Sequence, residues 1–331
     1  MKNIAIVGAT GLVGRTMLRV LEEHNAPVGQ LRLLASARSA GTTIRAMGLE
    51  HIVEELTPES FSGMDYALFS AGGTVSKTYA PIAAKAGCVA IDNSSVWRMD
   101  PEVPLVVPEV NPEDVWLHKG IIANPNCSTI QLVVALKPLA EAYGIRRLVV
   151  STYQSPSGAG QQGVDQLTSE LAGQEPVVRI TPHDLAMNAV FHAISELNGS
   201  SEEEIKMMRE TRRILHDHEL PIAVTCVRVP VLGGHAESIA VETVRPCDPD
   251  EARELLASKP GIVVADDPAS GVYPMPSASL GTDPVYIGRI RRDPSVEHGL
   301  LLWVVADNLR KGAATNAVQI LELLTNTSKT T

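Results

Sequence analysis

Of the four cysteines in the chain, Cys127 stands where a thiol can do chemistry. It lies in Asn124-Pro125-Asn126-Cys127-Ser128-Thr129-Ile130, ahead of an apolar run, Leu132-Val133-Val134-Ala135-Leu136, that reads as a helix. Pro125 disfavours helix just before itself and Asn126 is a good cap, so the sulfur is expected in the first turn. Unpaired N–H groups and the positive end of the helix dipole favour a thiolate there, the nucleophilic form of cysteine. Taken alone, Cys127 is equally open to the reading of a buried structural thiol. A second feature narrows the choice. Gly8-Ala9-Thr10-Gly11-Leu12-Val13-Gly14 follows a strand and opens a helix, the context in which glycines let backbone approach a pyrophosphate. Gly8, Thr10, Gly11, Leu12 and Val13 are the candidate cofactor contacts. The spacing is GxxGxxG rather than GxGxxG, which leaves a plain strand–helix turn as the alternative. A reactive thiol together with a nicotinamide points to aldehyde oxidation through a thioester.

The end of the second strand bears on the cofactor. An NAD site places an acid there for the ribose hydroxyls. Here the sequence is Ser36-Ala37-Arg38-Ser39, and Arg38 with Ser36 and Ser39 suits a 2′-phosphate, favouring NADP(H), unless Arg38 is simply a surface residue. Arg228, in Cys226-Val227-Arg228-Val229, is a charge inside an apolar strand and requires a partner. A substrate carboxylate matches its planar fork; an internal ion pair is the other possibility. His235, after Gly233-Gly234, is an imidazole presented at a turn, and Gln154 is a polar strand end. Glu203, Lys206 and Glu210 have the spacing of solvated helical ion pairs.

These residues need scaffolds, and the chain supplies two kinds. Over the first 120 residues or so, strands expected at 3–7, 31–35, 67–70 and 89–91 alternate with helix, notably 12–23, the pattern of a doubly wound parallel α/β sheet of Rossmann type. Beyond Cys127, β-branched runs at 147–153, 222–231, 236–244 and 300–305 predict a mixed or antiparallel sheet in a second, α+β domain, interrupted by a charged helix at 201–215. The last helix is expected to return to the first domain. The expected division is 1–126, completed by a C-terminal helix within 308–331, and 127–307. The length allows two cores. With 28 Lys+Arg against 38 Asp+Glu and no basic run, nucleic acid is not an expected partner. No apolar stretch is long enough to span a bilayer, and the opening residues run straight into a strand with no room for a signal peptide. The cysteines are scattered without a CxxC pair, so no metal site is expected, and a cytoplasmic enzyme with reduced thiols fits best.

Taken together, the glycine loop, Ser-Ala-Arg-Ser, Asn-Ser-Ser-Val-Trp-Arg, Asn-Pro-Asn-Cys-Ser-Thr, Ser-Thr-Tyr-Gln, Arg-Val-Pro-Val-Leu-Gly-Gly-His and Asp-Asn-Leu-Arg-Lys-Gly-Ala-Ala resemble the aspartate-semialdehyde dehydrogenase family over essentially the whole chain. Ser-Ala-Arg-Ser and the short region around 180–200 resemble its compact, Gram-positive-like type. The resemblance implies NADPH-dependent conversion of L-4-aspartyl phosphate to L-aspartate 4-semialdehyde and phosphate, a step feeding lysine, threonine and methionine synthesis. It further implies that Cys127 is the nucleophile, His235 the acid–base group, and Gln154 a residue that orients substrate. Arg228 would then hold the substrate carboxylate, Glu203 its amino group, and Arg98 with Lys206 the phosphate. Ser157, Gly158 and Asn308 would approach the nicotinamide end of the cofactor. The family also implies a homodimer or homotetramer. The competing readings are an enzyme like N-acetyl-gamma-glutamyl-phosphate reductase and a non-catalytic NADP-binding paralogue. Such a paralogue would be expected to lose the thiol or the histidine, and both are present. The Ser-Cys-Thr-Thr-Asn segment of glyceraldehyde-3-phosphate dehydrogenases is absent.

Overall fold

A computed structural model describes residues 1–195 and 199–326, and the chain divides into two compact units. The first comprises Met1–Asn126 and the segment from Ala313 onward; the second comprises Cys127–Gly312.

The first unit is built on β1 (Lys2–Val7), α1 (Leu12–Glu23) and β2 (Val28–Ala35), followed by a small hairpin of β3 (Thr43–Ala46) and β4 (Leu49–Ile52). It continues with β5 (Glu54–Glu55), β6 (Tyr66–Phe69), α2 (Gly73–Lys85), β7 (Val89–Asp92) and β8 (Ile121–Ala123). Six of these strands form a parallel sheet in the order β5-β2-β1-β6-β7-β8. Both faces of such a sheet are covered, and residues 4–7 of β1 and Tyr66–Phe69 of β6 are buried throughout. In α1 the buried residues Gly14, Met17, Leu18, Val20 and Leu21 recur at helical spacing.

The helix expected within 308–331 begins at Thr315. It spans Thr315–Asn326, after one wide turn over Arg310–Ala314, and residues 327–331 lie outside the described residues. Its Ala317, Val318, Ile320, Leu321 and Leu324 join the core formed by α1 and the sheet. Burying each of the large aliphatics contributes about 1.5–3 kcal/mol. Residues 308–312 group with the second unit instead. Leu309 and Arg310 donate backbone N–H groups to the Asp307 carboxylate, and Arg310 forks onto Asp283 at 2.9 Å twice.

The second unit runs α3 (Cys127–Tyr143), β9 (Ile145–Gln154), α4 (Gln161–Leu171), β10 (Val190–Phe191), α5 (Glu202–Ile214), β11 (Ile222–Arg228) and β12 (His235–Thr243). It closes with α6 (Pro249–Ala257), β13 (Ile262–Val264), the short α7 (Pro276–Ser279), β14 (Val285–Arg292) and β15 (Gly299–Ala306). The sheet order is β10-β11-β9-β12-β15-β14-β13, with β11–β9 and β13–β14 parallel and the other pairs antiparallel, so it is mixed. Helix α3 packs across β9, β12, β14 and β15, with α5 beside it over β11. Alternation sets the faces of β9: Leu148, Val150, Thr152 and Gln154 are buried, whereas Arg147 and Tyr153 are exposed.

One expected strand, 222–231, stops early, at Arg228. Val229 still donates its N–H to Gln154, but Val231 turns back onto Val229, and Pro230 between them has no donor to extend the ladder. Strand β14 has no counterpart among the expected elements. Its alternation is interrupted by an irregularity between Gly288 and Arg291, where Arg289 adopts a positive φ of 53°.

Candidate active site

Cys127 is the first residue of α3, as expected from Pro125 and Asn126, and is half-buried. A Cβ on Gly312 would lie 2.8 Å from the Cβ of Cys127, so only glycine admits this approach of the chain to the thiol-bearing turn. Cys88, Cys226 and Cys247 are buried thiols, and burial raises the pKa of each, to about 12 for Cys88 and about 11 for Cys247. They stay protonated and unreactive at neutral pH.

The ladder registers bring three of the expected residues into one row. Arg228 ends β11 opposite Gln154, which ends β9; Gln154 is opposite His235, which begins β12. Paired residues present their side chains on the same face, so guanidinium, amide and imidazole stand side by side. Turn chemistry makes the row possible. Gly234 has φ +78°, and a Cβ there would be 3.0 Å from the carbonyl oxygen of Pro276, so glycine is required just before His235.

His235 is fully buried. Its Nδ1 accepts the backbone N–H of Ser155 at 3.1 Å, which places the proton of the neutral ring on Nε2. Nε2 itself is buried with no hydrogen-bond partner among the described residues. A Cβ on Gly158 would lie 3.4 Å from that nitrogen and 3.7 Å from Nη1 of Arg228, so the glycine keeps open the space that both groups face. Burial pushes the His235 pKa down to about 4, with Arg228 acting in the same direction.

Arg228 donates from Nη1 to the carbonyl of Ser155 at 3.3 Å. Burial lowers its pKa, while Glu203 and then Cys127 raise it, so both lie within its field. It also borders a cavity of about 690 Å³ shared with His183, Asn188 and His192. Gln154 donates from Nε2 to the Ser128 hydroxyl at 2.8 Å and to the Glu203 carboxylate at 3.3 Å. Glu203 sits in the first turn of α5, whose cap is a reciprocal pair: Ser201 Oγ accepts the N–H of Glu204, and the Glu204 carboxylate accepts that of Ser201. Lys206 lies 3.9 Å from Glu203 and 3.6 Å from Glu202, the ion-pair arrangement that helical spacing predicts. Asn308 joins three loops: its Oδ1 accepts the Gly234 N–H at 3.0 Å, and its amide exchanges hydrogen bonds with the Ser157 hydroxyl.

The remaining candidates belong to the first unit. Arg98 is buried and donates to the carbonyls of Asn124 at 3.0 Å and Asn93 at 2.9 Å. The arrangement of Gly8–Val13 fits a dinucleotide diphosphate. Gly8 has φ +89°, and a Cβ there would sit 2.9 Å from the Ser70 backbone; one on Gly14 would sit 2.2 Å from the Gly8 oxygen. Gly11 caps α1 without a side-chain hydrogen bond, and no acid stands in the first turn. The helix N-terminus is thus left without a resident side-chain anion, next to Thr10, Leu12 and Val13. Arg38 is exposed in a turn closed by Ser39 and Ala40 N–H groups on the Ser36 carbonyl, just past the end of β2.

Two family models match the chain: "Semialdehyde dehydrogenase, NAD binding domain" over residues 3–118 and "Semialdehyde dehydrogenase, dimerisation domain" over 136–311. The aspartate-semialdehyde dehydrogenase of Aquifex aeolicus is 56% identical over 331 residues, covering 97% of each chain. The chain belongs to the aspartate-semialdehyde dehydrogenase family. The Bacillus subtilis member is 47% identical, again over 97% of each. Among solved structures, aspartate-semialdehyde dehydrogenase II of Vibrio cholerae complexed with ASA superposes with a TM-score of 0.94 at 47% identity over 98% of each chain. The Candida albicans aspartate-semialdehyde dehydrogenase with NADP gives 0.78 at 27% identity, over 98% of each.

Against this family's fold, the sequence reading passed over several neighbours of the row. Ser128 and Ser155 touch Gln154 and His235 through hydrogen bonds that adjacency alone does not reveal. His192, whose Nε2 is 2.8 Å from Gln154 Oε1, follows directly on a two-residue edge strand with no periodicity to mark it. No described helix is long and apolar enough to cross a membrane.

Proposed function

We propose that this chain catalyses NADPH-dependent reductive dephosphorylation of L-4-aspartyl phosphate, giving L-aspartate 4-semialdehyde and phosphate. The reaction belongs to the synthesis of lysine (with diaminopimelate), threonine and methionine, and the working location is the cytoplasm. The observation that carries the reading is the buried Nε2 of His235, partnerless among the described residues and facing space kept open by Gly158 in a row with Gln154 and Arg228.

In this reading the Cys127 thiolate attacks the acyl carbonyl carbon. A C–S bond forms, the C–O bond to phosphate breaks, and the carbon is held as a thioester. NADPH held by the loop at 8–13 would supply the hydride that reduces this carbon. Nε2–H of His235 donates to the carbonyl oxygen as negative charge develops, so the alkoxide is met by a group already in place. Collapse of the adduct returns the aldehyde and the Cys127 thiolate. Gln154 orients the acyl group from its anchor on Ser128 and Glu203. Arg228 takes the α-carboxylate, since a guanidinium fork and a carboxylate match in plane and charge, and Glu203 meets the amino group. Arg98 and Lys206 are assigned to phosphate. Gly8, Thr10, Gly11, Leu12 and Val13 cradle the diphosphate, Ser36, Arg38 and Ser39 read the 2′-phosphate, and Ser157, Gly158 and Asn308 stand toward the nicotinamide. We assign residues 1–126 with the C-terminal helix to cofactor binding and the rest to catalysis and assembly as a homodimer or homotetramer. The test is phosphate-dependent reduction of NADP with L-aspartate semialdehyde, set against the N-acetylated glutamate analogue. Preference for the glutamate analogue would replace this reading.

A further inference from the structure

Gln154 is an amide whose two ends look alike in shape but not in charge, and its usefulness depends on which end faces where. Its Nε2 lies 3.3 Å from Oε1 of Glu203. An ionised carboxylate only accepts hydrogen bonds, so this contact requires the NH₂ of Gln154 to point toward Glu203, with Ser128 at 2.8 Å taking the second N–H. The carbonyl end then points to Nε2 of His192 at 2.8 Å, which has to be a donor. The ring is thereby assigned the Nε2–H tautomer. The four groups form a chain of fixed polarity: His192 Nε2–H to Gln154 Oε1, and Gln154 Nε2–H₂ to Ser128 and Glu203.

We propose that His192 is a positioning residue, which locks the side-chain amide of Gln154 in the one orientation that presents its N–H groups toward Ser128, beside Cys127. This rests on the function proposed above and extends it to a residue to which neither the sequence motifs nor the family resemblance gives a role. The backbone supports the geometry. Val190 and Phe191 pair antiparallel with Arg228 and Val227, which anchors His192 one residue past β10, with β11 between that strand and the β9 strand that carries Gln154. Burial, and next to it the charge of Arg228, push the His192 pKa down to about 4. The ring therefore stays neutral across the ordinary working range and keeps one defined donor. A flipped amide would set its oxygen against the Glu203 carboxylate, two acceptors facing each other.

The experiment compares His192→Phe, which keeps a ring and loses the N–H, with His192→Gln, whose terminal amide can carry a donor to the same place. Loss of one orienting hydrogen bond is expected to lower kcat about tenfold in His192→Phe with KM changed less, and His192→Gln is expected to recover to within about threefold of wild type. Equal kcat in His192→Phe and wild type overturns the proposal, as does a His192→Gln variant as slow as His192→Phe. Imidazole ¹H–¹⁵N spectra of the full-length wild-type protein, with His192 assigned by its loss in the Phe variant, give a readout that needs no substrate. The expected signal is a neutral ring protonated at Nε2 between pH 6 and 8; an Nδ1–H tautomer overturns the proposal. A wild-type enzyme inactive on the semialdehyde but with the expected tautomer would instead count against the proposed reaction.

Discussion

At the scale of single residues, the test of the thioester is Cys127→Ala. The substitution removes one sulfur from a half-buried position, so folding and NADP binding should persist while turnover falls to background. An alkylating reagent should label Cys127 before the three buried thiols, and peptide mapping after a short exposure checks that order. Arg228→Lys tests the other end of the substrate. A point charge cannot reproduce a planar fork, and disturbing one member of a desolvated charged pair costs about 2–5 kcal/mol, so kcat/KM for the semialdehyde should fall at least about 30-fold. An unchanged value would leave Arg228 with its Ser155 contact and a purely structural role. The chemistry-bearing residue types were legible in sequence because each breaks a local rule: a cysteine at a helix start, a charge in an apolar strand, an imidazole after two glycines. Their meeting was not, because it depends on the register of three strands distant in sequence. His192 broke no rule at all.

Among elements, the most informative for specificity is the turn that leaves β2. Replacing Arg38 by Asp should remove a charge-assisted contact worth roughly 1.5–3 kcal/mol, or about 10- to 150-fold, and add repulsion toward a 2′-phosphate. The ratio of kcat/KM for NADP over NAD is the measurement, and it should fall by at least that factor. An unchanged ratio would mean that the exposed Arg38 side chain points to solvent. Nearby, β5 sets Glu54 and Glu55 alongside Leu34 and Ala35. Glu54 lies 3.5 Å from Arg32, an ion pair at the edge of the sheet. Elements with strong local signals were readable: α1 coincides with the expected 12–23, and α5, Glu202–Ile214, lies within the expected 201–215. Short strands such as β8, β10 and β13 carry too few residues for periodicity to show, and their neighbours in the sheet define them.

For the whole molecule, pH should act in two opposite directions. His192 and His235 are held by burial near pKa 4, below the unfolded value of about 6.5. Between those limits the unfolded chain binds more protons, so stability falls as pH drops below about 6.5. Glu237 runs the other way. It lies two residues along β12 from His235, opposite Thr152 and Val304, and is fully buried. Burial raises its pKa well above the ordinary value, opposed only by the side chain of Gln131 on α3. The folded state therefore keeps a proton that the unfolded chain releases above about pH 4.5, and each further pH unit costs about 1.4 kcal/mol until the folded group ionises. Glu237→Gln removes that loss. Its Tm should match wild type near pH 4.5 and exceed it by a margin that widens as pH rises from there, as differential scanning calorimetry across pH would show. A constant difference would mean that the carboxyl titrates normally in the fold.

The C-terminal helix has a consequence for how the protein is made. Its Val318, Ile320, Leu321 and Leu324 complete the core of a unit whose other members precede Asn126. A ribosome delivers that first segment, then everything from Cys127 to Gly312, and only then the helix. At roughly 5–20 residues per second, the parallel sheet waits many seconds with part of its apolar face uncovered. During that interval it is a natural client for a chaperone that recognises bare aliphatic surface. A nascent chain stalled short of Thr315 should stay chaperone-bound and protease-sensitive even though every glycine of the cofactor loop has already been synthesised.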